Sequence, residues 1–158
     1  MKAERIISPE EALSRLQNLC SGHEKCSGDV REKLRQWKIS AEESDKILWR
    51  LIKDKFIDDQ RFVGFFVRDK QNINKWGKEK IRFALKNKGI NQELINEALS
   101  LLPAGNYEES LRELLSKKAR ELSKYPPYEK KNRLIRFAAQ RGFDFDLIFK
   151  IIDEFVRE

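Results

Sequence analysis

The sequence predicts an all-α protein, built as three tandem three-helix units in an elongated, curved array, right-handed or arch-like. Apolar residues recur at helical rather than alternating spacing, and cap and stop residues divide the chain into nine short segments. One pattern of helix, stop, apolar residue, cap and helix also occurs three times. An offset of 53 lays Gly89-Ile90-Asn91 on Gly142-Phe143-Asp144, Ile81 on Leu134, Leu94 on Leu147 and Ile95 on Ile148. An offset of 51 in the other direction lays Ile39-Ser40 on Ile90-Asn91 and Leu34 on Leu85. Self-similarity of this period marks a repeat array in which each unit packs against its neighbours.

The elements follow in order. Ser8-Pro9-Glu10-Glu11 supplies an N-cap, a proline at the first helical position and a capping-box glutamate, so a helix runs to about Leu19 with Ala12, Leu13 and Leu16 inward. Val30, Leu34 and Trp37 form one stripe of a second helix, near Asp29 to Trp37. Ser40-Ala41-Glu42-Glu43 is another capping box and opens a third helix that turns Ile47, Leu48, Leu51 and Ile52 inward. Asp58 or Asp59, with Asp58 and Asp59 both read as caps rather than contacts, starts a fourth helix that buries Phe62, Phe65 and Phe66. The fifth spans about Gly77 to Lys88 and stops at Gly89, the residue type best suited to a left-handed position after a helix. Asn91 caps the sixth, with Leu94, Ile95, Ala98 and Leu101 inward, and Pro103 with Gly105 closes it. The seventh covers roughly Tyr107 to Ser123, until Tyr125-Pro126-Pro127-Tyr128 interrupts it. The eighth ends at Gly142, and Asp144 caps a ninth bearing Leu147, Ile148, Ile151, Ile152 and Phe155.

The units are expected at 1–57, 58–104 and 105–158. Lys38 stands where the other two copies have glycine, so the first copy is expected to end its second helix differently.

Composition narrows the class. With 158 residues, 40% hydrophobic and 37% charged, and ten Phe and three Trp, the chain is a folded, highly charged domain rather than a disordered one. The longest nearly apolar stretch, Phe62 to Val67, is far short of the roughly 20 residues a membrane helix needs. Met1 to Pro9 has no apolar segment of the kind a secretory signal carries, and a cytoplasmic protein is expected.

Cys20, His23 and Cys26 supply too few ligands for zinc, which takes four, and are expected to be partly buried thiols and a surface imidazole. His23 is the only histidine, which leaves little room for a Ser-His-Asp mechanism. Adjacent Asp58 and Asp59 project to different sides of a helix, against what two-metal chemistry requires, and Asp144 and Asp146 belong to a capping region. No catalytic residue, metal or cofactor is expected.

The formal charge of +7 is localised. From Lys75 to Lys88 six basic residues face one acid, and from Lys117 to Arg141 nine face two, so the rest of the chain is net acidic. Lys78, Arg82 and Lys86 are spaced by four and share a helix face, a track suited to phosphates or an acidic groove. The second and fifth helices have the placement of a groove-entering helix, but no Arg, Asn or Gln set is arranged for base reading. Trp76 and Phe83 could stack on bases, although aromatics among helices more often belong to the core.

The middle third resembles a known family. Phe56-Ile57-Asp58-Asp59-Gln60-Arg61-Phe62, then Phe66-Val67-Arg68, then Trp76-Gly77-Lys78-Glu79-Lys80-Ile81-Arg82, Leu85 and Lys88-Gly89-Ile90 resemble the central signature of the RecX regulatory proteins. Ser27, Val30, Lys33-Leu34 and the segment from Leu48 to Asp59 extend the likeness to Ser27–Leu102. Lys38 departs from the family's usual glycine and Cys26 from its usual aromatic or histidine.

The resemblance implies tandem three-helix repeats that bind the RecA recombinase filament on single-stranded DNA and inhibit strand exchange and ATP hydrolysis, in recombination, repair and the SOS response. It also implies weak binding of single- or double-stranded DNA without sequence specificity, while the composition and the repeat array lead to the expectation of no membrane and of a monomer. Arg61, Arg68, Lys78, Lys80 and Arg82 carry the family pattern and are expected to reach a partner; the basic windows add Lys75, Lys86, Lys130, Lys131, Arg133 and Arg141. A generic nucleic-acid-binding helical module is the competing reading of the same charge.

Overall fold

The computed structural model describes residues 6–156. The reading of Met1 to Pro9 as free of a signal therefore rests partly on residues outside those described. Nine α-helices run in sequence among the described residues, with no strand: α1 (Pro9–Gly22), α2 (Ser27–Gln36), α3 (Ala41–Lys53), α4 (Asp59–Asn72), α5 (Lys78–Asn87), α6 (Gln92–Ser100), α7 (Ala104–Glu121), α8 (Pro127–Gln140) and α9 (Phe145–Ile151). A 3-10 turn, Ile152–Phe155, follows. None of these helices is long and apolar enough to cross a membrane.

The predicted N-cap side chains are in place, while a capping box with both halves closed forms at Cys26 and Asp29 and not at Ser40 and Glu43. The Ser8, Ser40, Asp58, Asn91 and Asp144 side chains each accept a backbone N–H from the first turn of their helices. Proline at the start of α1 and α8 lacks the N–H that a helix leaves unpaired there.

Three hydrophobic cores succeed one another. Leu16, Leu34, Leu48 and Leu51 anchor the first, in α1–α3. Phe62, Ile81, Leu85 and Ile95 anchor the second, in α4–α6, and Leu111, Leu115, Leu134 and Ile148 the third, in α7–α9. A chain organised this way exposes more surface than a ball of the same mass. Its accessible surface is 10553 Å², against about 8,300 Å² expected of a compact monomer. Small-angle scattering should accordingly return a radius of gyration clearly above the compact value of about 15 Å; a value at that figure contradicts the array.

Three apolar residues expected inside lie outside: Ile52, Phe65 and Leu101 are 50%, 42% and 77% exposed. Ile52 sits one residue past Leu51 of the buried stripe Ser44/Ile47/Leu48/Leu51, a step of about 100° round the helix, and Phe65 sits two residues from both Val63 and Val67, about 200° round and so on the opposite face of α4. Leu101 follows the last turn of α6, where Leu99 takes the core position. Gly105 does not close α6 but lies within the first turn of α7, which Pro103 precedes as N-cap. α2 begins two residues early at Ser27, because the Cys26 thiol accepts from the Asp29 N–H (3.4 Å) while the Asp29 carboxylate accepts from the Cys26 N–H (3.3 Å).

Lys38 brings another correction. The first copy ends its helix as the others do, with φ of +58° at Lys38, against +76° at Gly89 and +93° at Gly142. A lysine tolerates the left-handed position at a cost of about 1–2 kcal/mol.

The cores are joined by two junctions. At the first, Asp59 accepts from the Ser27 N–H (2.8 Å) and hydroxyl (2.5 Å), Lys88 reaches Asp29 (2.7 Å), and Arg61 pairs with Glu24 (2.8 Å). Cys26 is the N-cap of α2 but is wholly buried in the second core. Burial pushes its thiol up to about 11, so it stays protonated at neutral pH. Cys20 is half-buried and His23 exposed, as expected.

Burial pushes the Asp29 carboxyl upward, but the Lys88 ammonium and the Cys26 N–H outweigh it and hold Asp29 below its ordinary 3.8. A depressed carboxylate stabilises the fold above its unfolded pKa, and that stability is lost as pH falls through the folded value. Asp29→Asn keeps an oxygen that can accept from the Cys26 N–H but loses the ion pair with Lys88, and should cost about 1 kcal/mol at pH 7. The gap between the thermal melts of variant and wild type should begin to close as pH falls below about 4 and close further through the lower folded value; a gap that stays constant in acid shows that the ionised Asp29 is not its source.

Candidate polyanion interface

The second junction joins the last two cores through main chain. Gly77 and Glu79, at the start of α5, donate to the carbonyls of Arg141 (2.7 Å) and Gly142 (2.9 Å) beyond the end of α8. The Lys78 N–H donates to the Tyr107 hydroxyl at 2.9 Å, and the Tyr107 ring packs on Phe143 at 5.1 Å. Burial raises the Tyr107 phenol, keeping it in the protonated form. The approach is close enough to require glycine on both sides. A Cβ on Gly77 would stand 2.2 Å from the Gly142 carbonyl carbon, and one on Gly142 would stand 2.5 Å from the Lys80 nitrogen.

This backbone contact gathers cations from three elements. The Trp76 N–H donates to the Lys70 carbonyl (3.0 Å) and Gln71 Nε2 to the Trp76 carbonyl (2.9 Å), which folds residues 72–77 back over the end of α4. The Trp76 ring then holds two ammonium groups, Lys80 at 4.5 Å and Lys70 at 4.8 Å from its centroid. Arg141 donates to the Asn74 carbonyl (3.3 Å) beside Lys75, and its guanidinium lies 5.4 Å from the Phe137 ring. Among the described residues, Lys70, Lys75, Lys80 and Arg141 have no carboxylate within 4.0 Å. Uncompensated cations on a half-exposed surface attract phosphate or carboxylate groups without reading sequence.

The other expected site residues are placed differently. Lys78 belongs to the same junction, but its ammonium turns onto the Tyr107 ring at 4.9 Å. Arg82 bonds Asn96 and lies 3.7 Å from Glu79, which leaves Lys86 the unengaged member of the Lys78, Arg82, Lys86 row. Arg61 is committed to the first junction. Arg68 lies over Phe65, 5.0 Å from the ring, on the outer side of α4. Lys131 and Arg133 are paired with Asp153 and Glu129, each at 3.0 Å, and Lys130 is half-buried near them at the far end of α8.

Asp58 caps α4 and Asp59 holds Ser27, so both carboxylates are engaged. Among the described residues, no group of three His, Cys, Asp or Glu side chains is arranged to hold a metal. Trp76 is half-buried against the second core, whereas Phe83 is 67% exposed beside the basic row.

Sequence reasoning missed Lys70. It lies outside both basic windows, and only its spacing from Trp76 across a turn could have pointed to it.

Residues 58–99 match the model of the RecX second three-helix domain, and residues 106–152 that of the RecX third three-helix domain. The chain is 32% identical over 138 residues to the regulatory protein RecX of Clostridium acetobutylicum, covering 85% of this chain and 64% of that one. With the regulatory protein RecX of Oceanobacillus iheyensis it shares 29% over 126 residues, covering 80% and 46%. The chain thus spans roughly half to two thirds of the length of these curated relatives. Its fold is similar to the crystal structure of RecX from Lactobacillus salivarius, with TM-score 0.83, 26% identity and coverage of 93% and 96%. A second crystal structure of a regulatory protein RecX gives TM-score 0.85 at 25% identity, covering 92% of this chain and 73% of that one.

Proposed function

The chain belongs to the RecX family of regulatory proteins, and from that premise we propose that it is a cytoplasmic regulator that binds the RecA filament on DNA and lowers its strand exchange and ATP hydrolysis. One observation supports this most: the carboxylate-free cations Lys70, Lys75, Lys80 and Arg141 converge at the junction of the second and third units. Three cores in series suit an elongated partner, because each unit can touch a successive stretch of a filament. The protein acts by occupying a surface, with no bond made or broken.

The direct test adds the chain to RecA on single-stranded DNA and follows ATP hydrolysis beside a titration of DNA alone. Hydrolysis should fall with added protein. Unchanged hydrolysis together with tight DNA binding supports instead a generic nucleic-acid-binding module, which the same cations also fit.

A further inference from the structure

One aromatic ring on the basic surface stands open. Phe83 is 67% exposed and lies about 200° round α5 from both Ile81 and Leu85, the residues that α5 buries, so it points away from the second core. Packing does not explain it, and neither does a contact within the chain. Trp49 and Phe65 are exposed as well, but Lys53 lies over the first at 4.9 Å and Arg68 over the second at 5.0 Å. Among the described residues, no cation and no second ring lies over Phe83.

The neighbours of Phe83 along the helix face are cations. Lys80 precedes it and Lys86 follows it by three residues, the spacing at which helix side chains adjoin, and the two stand about 9 Å apart along the axis with the ring midway. Neither lysine has a carboxylate within 4.0 Å. The Lys80 ammonium rests 4.5 Å from the Trp76 centroid, which joins this face to the junction that holds Lys70, Lys75 and Arg141. Glu79, one turn before Phe83, is the acid on the face, and Arg82 lies 3.7 Å from it. Asn87, one turn after, is exposed and uncharged.

A ring between two cations matches two different parts of a nucleic acid. Phosphates are drawn to the ammonium groups, and the π-face of an unpaired base lies on the ring whatever its identity. In a duplex the base faces are already stacked on one another, and only phosphates and groove edges are offered, so the ring receives nothing. An acidic protein patch would satisfy the lysines but would set carboxylates against a phenyl ring.

We propose that α5 carries a base-stacking site. Phe83 receives one base of an unpaired strand while Lys80 and Lys86 hold the phosphates on either side, which makes this surface select single-stranded over double-stranded nucleic acid. The inference rests on the reading of the junction as a polyanion interface and narrows that polyanion to a single strand.

Phe83→Ala tests this without threatening the fold, since the ring lies outside the core and alanine is the better helix former. The probes are a short oligo-dT strand, the same strand without bases, and a duplex of the same length. The variant should bind oligo-dT about tenfold more weakly, with the log–log salt slope unchanged because no phosphate contact is lost. Its affinity for the baseless strand and for the duplex should match wild type, its melting temperature should equal or exceed wild type, and Phe83→Trp should hold oligo-dT at least as tightly as wild type. Lys86→Gln should instead weaken all three probes and flatten the slope.

Wild-type affinity for oligo-dT in Phe83→Ala, or an equal loss on the duplex, overturns the inference and leaves the polyanion interface standing. A Phe83→Ala variant that keeps oligo-dT but lowers ATP hydrolysis by the RecA filament less than wild type does assigns the ring to a protein contact, and overturns it too. A wild-type chain that binds none of the three probes removes the polyanion reading and the inference together.

Discussion

Replacing Gly142 with alanine is expected to destabilise the protein by about 3 kcal/mol or more and to uncouple the third unit from the second. The residue has φ of +93°, and its Cβ would sit 2.3 Å from Lys80 Cβ and 2.5 Å from Lys80 N. The main chain of α5 cannot yield locally, because Glu79 is bonded to the Gly142 carbonyl at 2.9 Å and Gly77 to that of Arg141 at 2.7 Å. Relief therefore requires the two units to part. Gly89→Ala is the internal control: its φ is +76°, but a Cβ there meets nothing within 4 Å, so only the left-handed penalty of about 1–2 kcal/mol applies. Urea unfolding followed by tryptophan fluorescence and by circular dichroism should remain one transition in Gly89→Ala and separate in Gly142→Ala. Equal losses in the two variants would show that conformation, and not the approach of the units, is what glycine provides.

Neutralising the junction should have the largest effect on binding. In the triple variant Lys75→Gln, Lys80→Gln, Arg141→Gln, DNA affinity is expected to fall about 100-fold at 0.15 M salt. Each neutralised phosphate contributes about 0.7 log unit there relative to 1 M salt, and the log–log salt slope should flatten by nearly 3. The matched control is Arg61→Gln, Lys131→Gln, Arg133→Gln, which removes the same charge from residues already paired with carboxylates. It should leave the salt slope nearly unchanged. A control that weakens binding as much as the junction variant would make net charge, rather than its arrangement, the determinant.

The contrast between these triples measures how much of the site is legible in the chain. The basic windows contain Lys75, Lys80 and Arg141, which have no carboxylate partner among the described residues, yet they rank Lys131 and Arg133 equally, although Asp153 and Glu129 pair with those two. Arg61 carries the family pattern and proves to be a strut to Glu24. Lys70 was invisible because a hydrogen-bonded turn, not proximity in sequence, brings it to Trp76.

The sequence by itself determined the helices, their caps, their stops and their threefold recurrence. Those depend on residues within about four positions of one another: a cap reaches the first turn, and an apolar stripe repeats every three or four residues. It marked the left-handed ends at Gly89 and Gly142 but not at Lys38, since a single strained residue leaves no compositional trace. Only the tertiary structure decided which cations stay free and how the units meet. Its deciding contacts join residues 32, 59 and 67 positions apart, Ser27 to Asp59, Asp29 to Lys88 and Asn74 to Arg141. Pairing over such separations depends on how whole helices pack, so a residue's local context cannot tell a charge that binds a neighbour from one left for a partner.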